Sequence, residues 1–567
     1  MELLPQSAPR LVGRLLGGAL ALLLVLLAAA APASAQDLKF PPTQDKPPKG
    51  YRLSAQKVIR IADGEPKVIA EKRKRGVLLP TAYTKGFGRW QVSYFQGKFE
   101  RAQVLVDDPT GAVLEAWTGP QVAWRMARGE PGAFAGKLNA PYVWIPLCVL
   151  FVAPFFHWRR PFRMLHLDLL VLLSFGVSHI FFNRGEISTS VPLVYPVLLY
   201  LLARMAWIGF RPRARQEKLV PKVPVVWLAM ALVFLVGFRV ALNVVDSSVI
   251  DVGYAGVIGA DKIGHGHGLY DSPSFAKDNE HGDTYGPVNY LAYVPFEQAF
   301  PFDGTWADLP AAHAAAIAFD ALTMLGLFVL GRRLRAGPAG TGLGVALAYA
   351  WAAYPYTLFA LNCNSNDALV AMVLVWALVF LRSAPGRGLL LGLGAAAKFA
   401  PLALVPLFAT AGSRRRWRGA AIMCAVVALV VVAAFVPFIP GHGGLRAVYD
   451  RTLGYQAGRA SPFSIWGQYG SLAWLWTAVK VLAVAFAVAV AFVPRGRDKT
   501  PVQVAALGAA VLVGLQLAVS HWFYLYVVWF APFVLVALFA RYHGETPAPE
   551  PEPEPPSELQ VPAPALA

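Results

Sequence analysis

The chain has 567 residues, of which 56% are hydrophobic and only 15% are charged. Ordinary soluble domains carry roughly 25% charged residues, so this composition excludes a soluble globular protein and indicates a membrane protein. Lys and Arg give a net charge of +18, but they occur in short clusters between apolar runs. We therefore attribute the positive charge to membrane topology and not to nucleic-acid binding.

Residues 1–35 predict a secretory signal peptide. Arg10 and Arg14 precede an apolar run that extends over residues 15–31, and Ala-Ser-Ala at 33–35 forms a cleavage site of small residues. The mature chain would then begin outside the membrane. An uncleaved anchor is the alternative, and it leaves the same topology.

Residues 36–140 predict a small extracytoplasmic α+β domain. Apolar residues have helical spacing over 54–75, whereas residues 90–94 and 102–106 alternate at period two, as strands do. The patterns W-x-V-x-Y and V-x-V-D-x-x-T-G-x-V in this region resemble those of the PepSY domain. The resemblance implies a binding or regulatory module without chemistry of its own.

The rest of the chain predicts an all-α polytopic membrane bundle with three extra transmembrane helices in 141–223 and a larger region in 224–541. Its apolar segments have about 16 to 22 residues, close to the length that crosses a bilayer core. Basic clusters follow the first, third, fifth and ninth segments, and the positive-inside rule places them in the cytoplasm. The eleven predicted spans lie near residues 142–157, 164–182, 191–209, 224–245, 311–331, 341–361, 368–382, 419–438, 472–493, 501–519 and 523–540.

One apolar segment, 388–411, lies between two basic clusters that both belong in the cytoplasm. A single crossing cannot connect them, so we predict a re-entrant hairpin of two short helices with Lys398 at its tip. The alternative is a full span with a misplaced basic loop. The Pro/Glu-rich tail, 542–567, predicts a disordered cytoplasmic end.

The connection 246–310 is predicted to be a long outer loop. It is dense in acidic residues, glycines and tyrosines, and only Lys262 and Lys277 oppose the acids. Such a loop at the edge of the bilayer favours a site for a polar ligand. A solvated acidic surface is the other interpretation.

Short motifs from this loop onward resemble those of glycosyltransferase family 87, the polyprenol-dependent mannosyltransferases of the GT-C superfamily. The resemblance covers about residues 224 to 540. In chain order the motifs are Asp251-Val-Gly-Tyr254, Gly268-Leu-Tyr270, Tyr285-Gly-Pro287, the Asn-rich segment 362–367 and the G-x-x-x-x-x-K-x-x-P segment 392–401.

The resemblance implies transfer of a hexose such as mannose from a polyprenyl-phosphate donor to a glycolipid, glycan or protein acceptor on the outer face of the cell membrane. A carboxylate acts as general base in such enzymes; the motif makes this residue Asp251, with Asp246 as the second choice. Lys398 is the first choice for binding the leaving phosphate. The remaining candidate substrate-binding residues are Tyr254, Tyr270, Tyr285, Asn364, Asn366, Asp367, Arg451, Arg459 and His521.

Several of these residues could instead have a purely structural role. Either aspartate could cap a helix, Lys398 could be a snorkelling lysine at a helix end, and the Asn-rich segment could be a helix N-cap. His265, His267, His281 and Asp283 could be metal ligands, but we expect neither a metal nor another cofactor.

Two charged residues are expected at membrane depth, Arg239 and Asp320. Such residues raise a functional hypothesis by default. We favour a structural pair in which they neutralise each other inside the bundle.

Two other classes of function remain open. A transporter or flippase of a lipid-linked or anionic solute would use the broken segment at Lys398. A sensor or scaffold would bind its ligand through the N-terminal domain. The glycosyltransferase hypothesis differs from the sensor in predicting near-complete loss of function when Asp251 is changed to Asn.

Overall fold

The computed structural model describes residues 38–543 except 87, 130–133, 272–274, 276–278, 280, 307–308, 412–415, 460 and 495–497. The predicted signal peptide, 1–35, lies outside the described residues. So does all of the predicted cytoplasmic tail beyond His543.

The N-terminal domain is a helix pair followed by a β-meander. Its four antiparallel strands have the order β1-β2-β3-β4, so each strand pairs with its neighbours in the chain. The sequence prediction of helices and a meander is confirmed, while the resemblance to PepSY stays a prediction. The elements are the helices Ala55–Asp63 and Pro66–Arg75 and the strands β1 (Leu79–Thr84), β2 (Arg89–Gln96), β3 (Phe99–Asp107) and β4 (Val113–Thr118).

Apolar faces of both element types form the core of this domain. Val58 and Ala62 lie one helical turn apart and are fully buried against Trp90, Val92 and other residues of the sheet. The apolar residues that recur at the helical period and those that recur at the strand period thus face the same core.

Among the described residues, seven helices of the bundle are long and apolar enough to cross a membrane, as expected of a polytopic membrane protein. A further pair, Gly337–Ala353 and Pro355–Asn362, is bent by 59° at Tyr354. Pro355 has no backbone N–H and disfavours helical geometry at the residue before it, which explains the bend. The seven helices are Met164–Asn183, Ile187–Phe210, Val225–Val245, Pro310–Leu334, Trp417–Phe438, Gly470–Phe492 and Pro501–Ala518.

Shorter helices complete the bundle. Each of the eleven predicted spans coincides with a long helix, the bent pair or a short apolar helix, but the number of crossings stays a prediction. The short apolar helices are Pro141–Phe155, Asp367–Val379, Ala400–Ala409 and Tyr524–Phe539. The others are Pro120–Ala123, Asp251–Gly264, Pro287–Leu291, Val294–Ala299, Ala384–Ala397, Gly444–Tyr449, Tyr455–Gly458 and Ile465–Gln468.

The basic connections between helices were predicted to lie on one side of the membrane. In the structure, several of them meet at one end of the bundle. Arg163 forms an ion pair with Glu217 at 3.1 Å, and its guanidinium lies over the ring of Tyr542. Arg335 donates to the carbonyl oxygen of Ala540 at 3.1 Å. The helix Val225–Val245 runs from this basic end for about 30 Å. Its last residue therefore lies at the opposite end of the bundle.

The predicted break at Lys398 is confirmed. The helix Ala384–Ala397 ends there, Lys398 is extended, and a 3₁₀ turn begins at Ala400. Beyond the turn, the Thr410 hydroxyl donates to the carbonyl oxygen of Ala491, which also accepts from Lys499. The flank after the break thus reaches a basic connection, and the re-entrant hairpin itself stays a prediction.

Arg239 and Asp320 form the expected buried ion pair. The guanidinium donates to both carboxylate oxygens, at 2.6 and 3.0 Å. It also donates to the carbonyl oxygen of Ala352 and to the Thr357 hydroxyl, on either side of the bend at Tyr354. The bend removes helical hydrogen bonds from nearby carbonyl groups, and the guanidinium of Arg239 donates to one of them.

We predict that R239M destabilises the protein strongly, because it leaves the Asp320 carboxylate buried without its counter-charge. Breaking one partner of a buried pair costs about 3–5 kcal/mol, which thermal melting of the purified protein in detergent would detect. R446M is the matched control, since Arg446 is 89% exposed and pairs with Asp450 at only 3.6 Å. Equal melting of R239M and wild type would show that the pair is dispensable.

Candidate active site

The described part of the predicted outer loop 246–310 contains three α-helices, and the first of them begins at Asp251. Just before it, the backbone N–H of Ile250 donates to the carbonyl oxygen of Cys363 at 3.2 Å. The Asn364 side chain donates to the carbonyl oxygen of Ser248 at 3.1 Å. Two chain segments that are more than a hundred residues apart thus run together, and the helices that begin at Asp251 and at residue 367 start side by side.

Gly253 makes this close approach possible. A Cβ atom at this position would lie 2.2 Å from the carbonyl oxygen of Asn364, a distance that real Cβ contacts do not reach. Asn364 itself has a positive φ of 47°, which asparagine tolerates better than most residues. The motif Asp251-Val-Gly thus places the carboxylate and the asparagine segment against each other.

Asp251 lies in a recess. Its side chain is exposed to solvent, yet the surrounding protein desolvates it enough to raise its pKa above the ordinary value. The positive charge of Arg459, the N–H of Val252 and the charge of Lys398 each oppose the rise, whereas Asp367 adds to it. An accessible carboxylate with a raised pKa is suited to accept a proton.

Lys398 and Asp367 form a buried pair beside this recess. The ammonium group lies 2.5 Å from the Asp367 carboxylate, which also accepts from the Trp529 indole N–H at 2.9 Å. The ammonium group faces the rings of Tyr285 and Trp529 at 5.2 and 5.4 Å. The charge of Lys398 is therefore largely balanced by a carboxylate.

Arg459 carries a charge that no carboxylate of the described residues balances by an ion pair. Its Nε is buried without a hydrogen-bond partner. Its guanidinium lies 5.1 Å from the Trp124 ring and 6.0 Å from the Tyr455 ring. Arg459 also acts electrostatically on Asp251, so the two residues lie near each other.

His521 lies on the same side. Burial, and then the charge of Arg459, lower its pKa well below the ordinary value, so the imidazole is neutral at physiological pH. Its Nδ1 lies 2.8 Å from the Ser461 hydroxyl. A neutral imidazole could donate or accept a hydrogen bond at the edge of the recess.

Arg451 is engaged outside the recess, where its guanidinium pairs with the buried carboxylate of Asp283. Asp246 accepts a hydrogen bond from the backbone N–H of Lys137 at 2.9 Å. Both side chains thus make structural contacts in the absence of a ligand.

Four other predicted residues are buried in packing contacts. Tyr254 stacks on Trp306, with ring centroids 4.6 Å apart. The Tyr270 hydroxyl donates to the carbonyl oxygen of Tyr285 at 2.8 Å. Asn364 and Asn366 complete this group; the Asn366 amide donates to the Asn289 side chain at 2.7 Å. Of the predicted residues, the structure brings Asp251, Tyr285, Asp367, Lys398, Arg459 and His521 together.

Three residues of the site were missed by sequence reasoning. Trp529 donates to Asp367, Trp124 lies over Arg459, and Tyr526 stacks on Trp529 at 4.5 Å. Tyr526 also interacts electrostatically with Arg459 and Asp251. Aromatic residues are common throughout this sequence, so nothing in their spacing distinguishes these three.

Of the candidate metal ligands, His265 lies beside a carboxylate, with its Nδ1 3.2 Å from Asp261. His281 stacks on Tyr455 at 4.6 Å, and Asp283 pairs with Arg451. Among the residues that the structure describes, no group of three or more His, Cys, Asp or Glu side chains is placed to hold a metal ion.

Residues 284–520 match the family model of Glycosyltransferase family 87. No curated protein matches the chain. The matched range contains Tyr285, Asp367, Lys398 and Arg459, whereas Asp251 precedes it. The match supports a membrane glycosyltransferase.

We predict that G253A lowers the melting temperature of the protein, because its methyl group requires the Asn364 backbone to move. Overpacking of this kind costs about 1–3 kcal/mol. G264A is the control in the same helix, since a Cβ there has its nearest neighbour at 3.9 Å. Equal melting of the two variants would contradict the close approach.

Proposed function

We propose that this protein is a glycosyltransferase of the GT-C type. It moves a hexose such as mannose from a polyprenyl-phosphate donor to a glycolipid, glycan or protein acceptor. The family match supports a membrane glycosyltransferase. The donor is proposed from the chemistry of the recess and from the sequence resemblance.

The observation that carries the proposal is the pairing pattern of the charged residues. Lys398 and Arg451 each have a carboxylate partner. Asp251 and Arg459 interact electrostatically, and no ion pair joins them in the described part of the chain. The recess is therefore proposed to offer a base and a cation, the two groups needed to deprotonate an acceptor and to stabilise a leaving phosphate.

In the proposed reaction, Asp251 accepts the proton of the acceptor hydroxyl. The acceptor oxygen forms a bond to the anomeric carbon of the sugar as the bond from that carbon to the phosphate oxygen breaks. The phosphate leaves with the electron pair of the broken bond. No further reactant is needed, and the proton ends on Asp251.

Arg459 is the proposed partner of the leaving phosphate. Its Nε is buried and unsatisfied, and a guanidinium can give two parallel hydrogen bonds to a phosphate. Lys398, the first choice from sequence, is instead proposed to hold Asp367 and the rings of Tyr285 and Trp529 in place.

The site is proposed to face the outside of the cell. Asp251 follows the helix Val225–Val245, which begins next to the basic connections and ends at Asp246. The positive-inside rule assigns those connections to the cytoplasm, so the other end of the helix is extracytoplasmic. A polyprenyl chain embedded in the bilayer would reach a site at this end of the helix.

We predict that D251N abolishes transfer, because an amide cannot accept the acceptor proton; general bases typically contribute 10²–10⁴-fold. The measurement uses purified protein in lipid, radiolabelled polyprenyl-phosphate mannose and a membrane-lipid extract. D303N is the control, because Asp303 is in the same region and its carboxylate accepts from the N–H and the hydroxyl of Thr305.

Transfer by wild type and D303N alone would support the proposal. Full activity of D251N would remove Asp251 as the base. If wild type binds the donor without transferring label, this donor and acceptor pair is wrong. If wild type does not bind the donor, the result favours the transporter and sensor hypotheses over the glycosyltransferase.

We predict that kcat/KM falls as the pH is lowered through a pKa above that of an ordinary aspartate, because Asp251 must be deprotonated and burial raises its pKa. Since the charge of Arg459 lowers that pKa, R459Q should move the acidic limb of the profile to higher pH. R459K keeps the charge and should move it less. R446Q is the exposed control, and an unchanged limb in R459Q would contradict the assignment.

A further inference from the structure

A segment outside the matched range forms part of the recess. The core of the N-terminal domain ends in β4, at Ala116. Beyond it, Ala127, Ala135 and Leu138 are buried in the core of the helical bundle. The described residues of 120–140, a segment that was predicted to belong to the N-terminal domain, therefore bridge the domain and the bundle, because Arg128 also donates to the Gln103 side chain of β3 at 2.6 Å.

This segment is held at the extracellular end proposed above. The carbonyl oxygen of Phe134 accepts from the Ser248 hydroxyl at 2.8 Å, and the N–H of Lys137 donates to Asp246 at 2.9 Å. Both contacts lie just before Asp251 in the chain. The segment is thus fixed to the peptide that carries the proposed base.

Trp124 is the residue of this segment that reaches the recess. Its ring lies 5.1 Å from the guanidinium of Arg459 and 5.7 Å from the imidazole of His521. The ring of Phe463 meets it edge-on at 5.5 Å. Trp124 therefore has a fixed place between the extra N-terminal region and the cation of the site.

We propose that Trp124 is a positioning residue that holds Arg459 in the geometry that binds the donor phosphate. The inference rests on the proposed function. It makes the N-terminal region, which lies outside the matched family range, a contributor to phosphate recognition.

The chemistry of the contact supports this role. A carboxylate partner would hold an arginine but would also occupy its N–H groups and balance its charge, as Asp283 does for Arg451. An aromatic face attracts the guanidinium and leaves the N–H groups at its edge available. Arg459 is thus held by a ring and remains able to bind an anion.

The test measures binding of tritiated polyprenyl phosphate, without sugar, to the full-length protein in lipid nanodiscs. W124L keeps an apolar side chain but removes the aromatic face, whereas W124F keeps a smaller face. Loss of a cation–π contact of this kind should weaken binding roughly 2- to 30-fold. W124F should lie between W124L and wild type.

W207L is the matched control. Trp207 also lies beside a cation, Arg211 at 4.7 Å, but this pair is at the basic end of the bundle and away from the recess. Its binding constant should equal that of wild type. Melting curves of all variants verify that each protein is folded.

A double-mutant cycle separates positioning from general stability. Because Trp124 acts through Arg459, W124L should have little further effect in the R459Q background. Equal weakening by W124L in both backgrounds, or wild-type binding by W124L, would overturn the inference while leaving the proposed function intact. Failure of wild type to bind polyprenyl phosphate would overturn both.

Discussion

Lys398 lies where one helix stops and another begins, inside a bundle whose outer surface is apolar. A break in such a place leaves backbone groups and an ammonium group that lipid cannot satisfy. The carboxylate of Asp367, 2.5 Å away, supplies the counter-charge and joins the tip of the broken segment to the start of the preceding helix. Trp529 joins the last helix to the same carboxylate. The pair thus connects three helical segments beside the recess.

The same requirement explains how the other charges are arranged. Arg239 and Asp320 neutralise each other within the bundle and stabilise the bend at Tyr354. Arg451 and Asp283 neutralise each other beside the recess. Buried pairs of this kind are costly to break but add little to binding or chemistry, because each charge is already satisfied. Groups left outside such pairs are therefore the better candidates for function.

Much of the fold was predictable because it follows from local rules. Hydropathy located all eleven helical segments, and the conflict between charge clusters located the break at Lys398. The pair Arg239–Asp320 followed from the cost of isolated charges in an apolar bundle. The position of Asp251 next to residue 367 could be guessed only from a family resemblance, since it depends on Gly253 meeting the Asn364 backbone.

The parts of the fold and of the site that the sequence did not predict depend on contacts between distant parts of the chain, which no local pattern encodes. Trp124 and Arg459 are separated by more than three hundred residues, and an aromatic residue near a bundle usually signals packing or an interfacial belt. The sequence of 120–140 carries no signal that this part of the chain connects the N-terminal sheet to the bundle. Asp246 was the second choice for the base, and its carboxylate accepts a hydrogen bond from the backbone N–H of Lys137.

Asp251 and Arg459 attract each other across the recess but do not form an ion pair. This separation matters for the proposed reaction, because a direct pair would occupy both groups and lower the pKa of the carboxylate. A substrate placed between them would put an acceptor hydroxyl at one side and a phosphate at the other, with the anomeric carbon in the middle. In the proposed arrangement, Trp124 holds the arginine without a second carboxylate, which leaves a base and a cation for the substrate.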